Sequence, residues 1–154
     1  MHIEILIIDP FQEESIHILR THLDFCLAAT PTEHVYALDI EKFNSPEITV
    51  FGARIAGDLV AIGALRKLDD AHAELKSMHT LVKARGQGIG RALVSHIEAT
   101  AKELGILRLS LETGTSEAFK PARELYKSLG YADCEAFGEY ELSEDNICMT
   151  KSLT

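Results

Sequence analysis

The stretch that decides the fold is Lys83-Ala84-Arg85-Gly86-Gln87-Gly88-Ile89-Gly90-Arg91, which places three glycines and three basic residues within nine positions. Residues 74–81, just before it, alternate as a strand does, and the apolar side chains of Ile89, Leu93 and Ile97 recur at helical spacing. Glycines lack a Cβ atom and let the backbone approach a ligand closely, and the first amides of a helix bind phosphate groups. The stretch therefore predicts a strand, a phosphate-binding loop and a helix in succession.

The spacing of the glycines separates this loop from two common nucleotide-binding motifs. A dinucleotide-binding fingerprint reads Gly-x-Gly-x-x-Gly, but its third glycine would stand where the chain has Arg91 or Leu93. A P-loop reads Gly-x-x-x-x-Gly-Lys followed by Ser or Thr, and the sequence contains no such run. A nucleotide-binding regulator therefore does not fit, whereas a plain strand-to-helix turn with glycines that ease packing stays as an alternative.

Around this unit, hydrophobic patterns predict one domain over residues 1–154. Strands are predicted at residues 3–8, 47–55, 59–65, 74–81, 106–112, 131–137 and 146–151, and helices at 11–29, 33–42, 88–104 and 121–129. The strand–helix–strand unit makes strands 74–81 and 106–112 parallel, and the short turn at 56–58 makes the preceding hairpin antiparallel. We expect an α/β (α+β) fold with a mixed, mostly antiparallel sheet and helices on both faces.

The charge distribution limits the partners. The chain carries a formal charge of −9, which disfavours nucleic-acid binding. Residues 75–97 contain no acid and carry +4, which leaves −13 for the rest. Six acids and no Lys or Arg lie between Asp133 and Asp145, either as a solvated face or on the side of a cationic ligand. No apolar run is long enough for a membrane span, and residues 1–9 do not resemble a signal peptide.

The cysteines and histidines do not predict a metal site. Cys26, Cys134 and Cys148 form no Cys-x-x-Cys pair, so we expect reduced thiols and, from them, a cytoplasmic protein. His17 and His22 are off the helical i, i+4 register, and the other histidines are not grouped at ligand spacing on one face.

Several segments together resemble the GNAT superfamily of N-acetyltransferases. Arg85-x-x-Gly88-x-Gly90 resembles its acyl-CoA signature, Pro121–Tyr131 its Leu-Tyr-x-x-x-Gly-Tyr segment, and Cys148–Leu153 its last strand. The element order fits as well. Residues 73–78 and 111–114 are similar to those of a branch of small, uncharacterised bacterial acetyltransferases.

The resemblance implies an acetyl-CoA site between two parallel strands, 74–81 and 106–112, that splay apart. Backbone groups of Leu81 and Val82 would bind the pantetheine arm, and the loop would hold the pyrophosphate. The implied cofactor-binding residues are Leu81, Val82, Arg85, Gly86, Gln87, Gly88, Ile89, Gly90 and Arg91. Many members carry Asn where this chain has Phe119, so Ser116 or Lys120 would have to replace that contact.

The resemblance also implies two catalytic residues. Glu74 lies eleven residues before Arg85, the position of the general base in several members, although it also fits an exposed carboxylate or a partner of Lys76. Tyr126 matches the tyrosine that protonates the leaving thiolate, although it also fits an aromatic packing residue.

The function that follows is acetyl transfer from acetyl-CoA to a primary amine of a small molecule, amino acid or peptide, by direct attack on the thioester. The charge distribution favours a compact cationic or zwitterionic acceptor. A non-catalytic acyl-CoA-binding module of the same fold is the alternative, and a homodimer is compatible with the resemblance.

Overall fold

The computed structural model describes residues 2–32 and 40–154, which form one twisted sheet with helices on both of its faces. The strands are β1 (Glu4–Ile7), β2 (Ile48–Ile55), β3 (Asp58–Lys67), β4 (His72–Thr80), β5 (Arg108–Gly114), β6 (Ala132–Cys134) and β7 (Asn146–Ser152). The helices are α1 (Glu13–Ala29), α2 (Ile89–Glu103) and α3 (Lys120–Ser128).

The seven strands follow the order β1-β2-β3-β4-β5-β7-β6. The β4–β5 pair is parallel and the other five neighbouring pairs are antiparallel. The mixed, mostly antiparallel sheet predicted from the sequence is therefore confirmed, as is the parallel pair that flanks α2.

Two predicted elements differ from the structure. Strand 131–137 is shortened to β6, because the chain leaves the sheet after Cys134 and turns at residues 137–140, where the Tyr140 amide donates to the Phe137 carbonyl oxygen at 3.1 Å and Gly138 is left-handed. The predicted helix 33–42 lies largely outside the described residues, and Ile40–Phe43 is a 3₁₀ turn.

The sheet is buried on both faces. On one face, Leu93, Ile97 and the rest of the apolar side of α2 pack on Phe51 and Leu109. On the other face, Ile18 and Leu19 of α1 pack on Val50 and Ile62. This double burial agrees with the long buried run of β3, in which successive residues are apolar rather than alternating. The buried run of β4 differs, because it includes the charged residues Glu74 and Lys76.

The parallel strands β4 and β5 separate after a short common stretch. Their ladder joins His72–Glu74 to Arg108–Ser110. Beyond it, the register between β3 and β4 shifts by a bulge, and Ser77 adopts a left-handed conformation with φ of 58°. A bulge bends its strand and increases the local twist, so β4 turns away from β5. The predicted splay of the central strands is confirmed.

Candidate active site

A cleft of about 490 Å³ opens where β4 and β5 separate. Its walls come from α1, β4, the glycine loop (residues 83–91), α2, β5, α3 and the segment before β7. Its lining includes His22, Phe25, Cys26, Lys76, His79, Arg85, Gly86, Gly88, Ile89, Gly90, Arg91, Glu112, Phe119, Tyr126, Tyr140 and Asp145.

Backbone conformation explains the glycines of the loop. Gly86 and Gly88 have φ of 77° and 78°, a left-handed region that L residues enter at a cost of roughly 1–2 kcal/mol each. Gly88 is the N-cap of α2, whose first amides have no intrahelical acceptor. A Cβ atom at Gly90 would lie 3.3 Å from Leu125 Cδ2, so this glycine lets α2 approach α3 closely. The loop thus presents a helix N-terminus at the cleft wall.

Two of the three basic residues of the loop, Arg85 and Arg91, are held by hydrogen bonds within the protein. Arg85 donates from Nε to the carbonyl oxygen of Thr80 at 2.9 Å, and its guanidinium lies 5.9 Å from the centre of the Phe25 ring. Arg91 donates from Nη2 to Ser128 Oγ at 2.7 Å. Two full positive charges and a helix N-terminus at one wall suit a pyrophosphate.

Six of the nine predicted cofactor-binding residues line the cleft, namely Arg85, Gly86, Gly88, Ile89, Gly90 and Arg91. Leu81, Val82 and Gln87 are not part of its lining. The amide of Leu81 donates to the carbonyl oxygen of Val60 at 2.9 Å, so this group already completes the β3–β4 ladder. Contacts of Leu81, Val82 and Gln87 with the cofactor stay predictions.

Phe119 occupies the position at which many family members carry Asn. Its ring lines the cleft and meets the Phe25 ring edge-on, with centroids 5.2 Å apart. Ser116 and Lys120, the predicted substitutes for the missing amide, are both exposed and do not line the cleft. This part of the wall is therefore aromatic.

Tyr126 is buried in α3 and lines the same cleft. Its ring packs edge-on against Tyr131 with centroids 5.9 Å apart, so the packing role weighed from the sequence is present. In the part of the chain that the structure describes, burial alone raises the pKa of Tyr126. The phenol is thus kept protonated at neutral pH, as a proton donor must be.

Glu74 is 1% exposed and belongs to a hydrogen-bonded cluster that we name the cleft cluster: Glu74, Lys76 and Tyr140. Glu74 Oε2 accepts hydrogen bonds from the Tyr140 hydroxyl and, at 3.4 Å, from Lys76 Nζ. Lys76 Nζ also donates to the Tyr140 hydroxyl oxygen at 2.8 Å. Lys76 and Tyr140 line the cleft, whereas Glu74 does not. Of the two structural alternatives for Glu74, the exposed carboxylate is wrong and the pair with Lys76 is present.

Glu112 is a cleft carboxylate that the sequence reasoning did not single out as a functional residue. It lies on β5 and accepts a hydrogen bond from Asn146 Nδ2 at 3.1 Å. Burial raises the pKa of Glu112 above its usual range. The sequence did contain a sign of this position. Apolar and polar residues alternate along strand 106–112, and this alternation predicts that Glu112 faces away from the main core.

His22 and His79 meet at the cleft although α1 and β4 are far apart in sequence. Their Nδ1 atoms are 3.1 Å apart, and His22 Nε2 lies 3.7 Å from Cys26 Sγ. Burial lowers the pKa of His22 to about 3 and that of His79 to about 4, so both rings are neutral at pH 7. Within residues 2–32 and 40–154, no group of three or more His, Cys, Asp or Glu side chains is arranged to hold a metal ion.

A splayed parallel pair, a helix N-terminus with two arginines, a buried phenol and carboxylates at one cleft define an enzyme that transfers an acyl group from a coenzyme A thioester. The loop suits the pyrophosphate, the opened strands suit an extended arm, and the phenol suits the leaving thiolate.

The comparisons with known proteins agree. The profile of the Acetyltransferase (GNAT) family matches residues 16–131. The chain is 38% identical over 153 residues to the Uncharacterized N-acetyltransferase YsnE of Bacillus subtilis (strain 168), covering 99% of this chain and 100% of that protein. A Klebsiella pneumoniae structure, assigned as an acyl-CoA N-acyltransferase, superposes with a TM-score of 0.81 at 25% identity, covering 99% of this chain and 98% of that one.

A GNAT family acetyltransferase from Elizabethkingia anophelis, solved with acetyl-CoA bound, has the same fold, with a TM-score of 0.70 at 19% identity over 97% of each chain. The chain belongs to the GNAT family, and the resemblance seen in the sequence is confirmed. It is an acetyl-CoA-dependent acyltransferase of the small bacterial type.

Proposed function

We propose that this enzyme acetylates the primary amine of a small molecule, amino acid or peptide by direct attack on the acetyl-CoA thioester. The observation that carries the proposal is that one cleft brings together the glycine loop, Tyr126 and the carboxylate of Glu112. A second carboxylate, Glu74, lies behind the cleft wall and is hydrogen-bonded to Tyr140 of that wall. Direct attack needs these parts: a cofactor cradle, a base toward the amine and an acid toward the leaving thiolate.

The glycine loop would hold the cofactor. Arg85, Arg91 and the N-terminus of α2 would bind the pyrophosphate, and the pantetheine arm would lie between β4 and β5. Acetyl-CoA brings the thioester to be attacked. Tyr126 would then donate its phenolic proton to the sulfur as the carbon–sulfur bond breaks, because it lines the cleft and its phenol carries its proton at neutral pH.

Glu74 remains the proposed base. Its carboxylate is buried, and it reaches the cleft through Lys76 and Tyr140 rather than directly. Glu112 would bind the acceptor's ammonium group, because its carboxylate belongs to the cleft lining and can form a charge-assisted hydrogen bond with a cation. With Asp145 also in the lining, the acids support a compact cationic or zwitterionic acceptor.

Only one acid of the segment from Asp133 to Asp145 is placed to contact a cationic or zwitterionic acceptor. Asp145 and Tyr140 line the cleft, whereas Asp133, Glu135, Glu139, Glu141 and Glu144 are exposed to solvent. Most of this run is therefore a solvated face, and its contribution to binding is long-range attraction of a cation, weakened by salt.

The enzyme would work in a reducing cytoplasm, since Cys26, Cys134 and Cys148 are free thiols. Along the described residues, the helices are too short or too polar to cross a bilayer.

A thiol-release screen tests the proposed acceptor class. Acetyl-CoA is supplied with 1,4-diaminobutane, lysine, glycinamide, benzylamine and, as anionic acceptors without a free amine, succinate and phenyl phosphate. We expect coenzyme A release and a mass gain of one acetyl group with at least one amine, and none with the anions. Turnover with the anions alone would contradict the proposal. Binding of acetyl-CoA without thiol release from any compound would favour the non-catalytic module instead.

A further inference from the structure

The chain holds two clusters of one Glu, one Lys and one Tyr with similar contacts, and only one of them has members in the cleft lining. In the cleft cluster, the Tyr140 hydroxyl donates to Glu74, Lys76 pairs with that carboxylate, and Lys76 Nζ lies 5.4 Å from the centre of the Tyr140 ring. A second set, which we name the distal cluster, consists of Glu98, Tyr131 and Lys151.

The distal cluster has closely similar contacts. The Tyr131 hydroxyl donates to Glu98 Oε2 at 2.8 Å, and Lys151 Nζ pairs with the same carboxylate at 3.0 Å. Lys151 Nζ lies 5.6 Å from the centre of the Tyr131 ring. Of these three residues, none lines the cleft, whereas Tyr140 and Lys76 do. The distal cluster therefore shows what such an arrangement does when its role is structural.

Glu74 needs an intermediate group if it is to receive a proton from an acceptor in the cleft. Its carboxylate is 1% exposed and outside the cleft lining, so an amine in the cleft cannot give its proton to Glu74 directly. The Tyr140 hydroxyl is hydrogen-bonded to Glu74 Oε2 and belongs to a residue of the cleft wall. A phenol in this position can accept a proton on its oxygen while it passes its own proton on.

We propose that Tyr140 is a further catalytic residue, which relays a proton from the attacking amine to Glu74. The inference rests on the proposed function, because it supplies the base step of amine acetylation. Lys76 holds the phenol by its 2.8 Å hydrogen bond and balances the charge of the buried Glu74 carboxylate.

The relay moves one proton from the amine to Glu74 while the amine attacks the thioester. The neutral amine attacks the thioester carbonyl, a carbon–nitrogen bond forms, and the carbonyl electron pair moves onto oxygen. One N–H proton passes to the Tyr140 oxygen as the phenolic proton passes to Glu74. The electron pair on oxygen then re-forms the carbonyl as the carbon–sulfur bond breaks, and the leaving sulfur takes the proton of Tyr126. Glu74 ends protonated and Tyr126 deprotonated, and exchange with water restores both.

Tyr140→Phe tests the relay, with Tyr131→Phe as the matched control. Both variants keep the ring and lose one hydroxyl that donates to a carboxylate, but only the first is at the cleft. The assay uses acetyl-CoA and the amine of the screen that the wild type acetylates fastest. We expect kcat of Tyr140→Phe to fall by about 10²-fold or more with an unchanged KM for acetyl-CoA. We expect Tyr131→Phe to stay within about threefold of wild type while its thermal midpoint falls.

Glu74→Gln and the double variant make the test specific to a relay. If Tyr140 and Glu74 act in one chain of proton transfer, each single variant should lower kcat equally, and the double variant should be no slower than either. Losses that multiply, or a Tyr140→Phe variant within about threefold of wild type, would overturn the relay. Should Tyr140→Phe fail to fold, a Glu74→Gln variant of normal kcat would overturn it as well. If no amine in the screen is acetylated by the wild type, the proposed function itself fails, which is a separate result.

Discussion

Replacing Tyr126 by Phe separates the two roles that this residue can have. The substitution removes one hydroxyl and keeps the ring, which is 6% exposed and packs on Tyr131. Among the described residues, burial is the cause that raises the pKa of the Tyr126 phenol, and no charged or hydrogen-bonding side chain contributes to this shift. The variant should therefore fold as the wild type does, with a free energy of unfolding changed by no more than about 0.5–1 kcal/mol.

The effect on catalysis should be far larger than the effect on folding. General acid catalysis contributes roughly 10²–10⁴-fold, which corresponds to about 2.7–5.4 kcal/mol of transition-state stabilisation at 1.36 kcal/mol per tenfold change in rate. We expect kcat to fall by this factor. The KM for acetyl-CoA should stay within about twofold, because the pyrophosphate and the adenosine are not bound by the phenol.

The measurement is initial-rate thiol release over a range of acetyl-CoA concentrations, with thermal unfolding of the same samples. Tyr131→Phe serves again as the control, since it removes a hydroxyl from the neighbouring ring that donates to Glu98 rather than facing the cleft. A Tyr126→Phe enzyme that turns over within about threefold of wild type would refute the acid role and leave only the packing role.

Three further predictions test the loop, the histidine pair and the cleft wall. Gly88→Asp places a negative charge and a strained φ in the cradle, so the calorimetric Kd for acetyl-CoA should rise at least tenfold; an unchanged Kd would contradict the cofactor assignment. Because the pKa values of His22 and His79 lie at about 3 and about 4 in the fold against 6.5 otherwise, the unfolded chain binds more protons between pH 4 and 6.5. The free energy of unfolding, from urea titrations, should fall as the pH falls through this window, and less steeply in His79→Gln; a flat profile would refute the burial of the pair. Gly114→Ala sets a Cβ atom 2.2 Å from Phe119 Cδ2, so the thermal midpoint should drop through overpacking costing about 1–3 kcal/mol, and an unchanged midpoint would show that Phe119 moves freely.

The parts of the site that the sequence predicted are local in the chain. The loop at residues 83–91 joins a strand to a helix in adjacent residues, and glycine and arginine report its conformation and charge directly. Tyr126 was found because it stands in a short segment with a recognisable spacing. The succession of strands and helices along the chain, and the parallel pairing of strands 74–81 and 106–112, followed from connection lengths and hydrophobic periods, which also depend on neighbouring residues.

The parts that the sequence did not predict depend on contacts between distant segments. Tyr140 is 66 residues from Glu74, and it lies in an acidic run whose composition indicates only a solvated surface. His22 and His79 are 57 residues apart, and neither helical nor strand periodicity can bring α1 onto β4. Such pairings are decided by how the helices pack on the sheet, and a single sequence does not reveal that packing.

The sheet has its outer edges at β1 and β6, and the opening between β4 and β5 adds two unpaired strand edges in its interior. Unpaired strand borders ordinarily invite strands of other molecules. Here the two strands stay joined at His72–Glu74, so the gap is a wedge closed at one end. A wedge rejects a flat, side-chain-bearing strand and admits a slender chain with amide groups of its own. The shape of the gap is therefore set by the main chain of β4 and β5 rather than by their side chains.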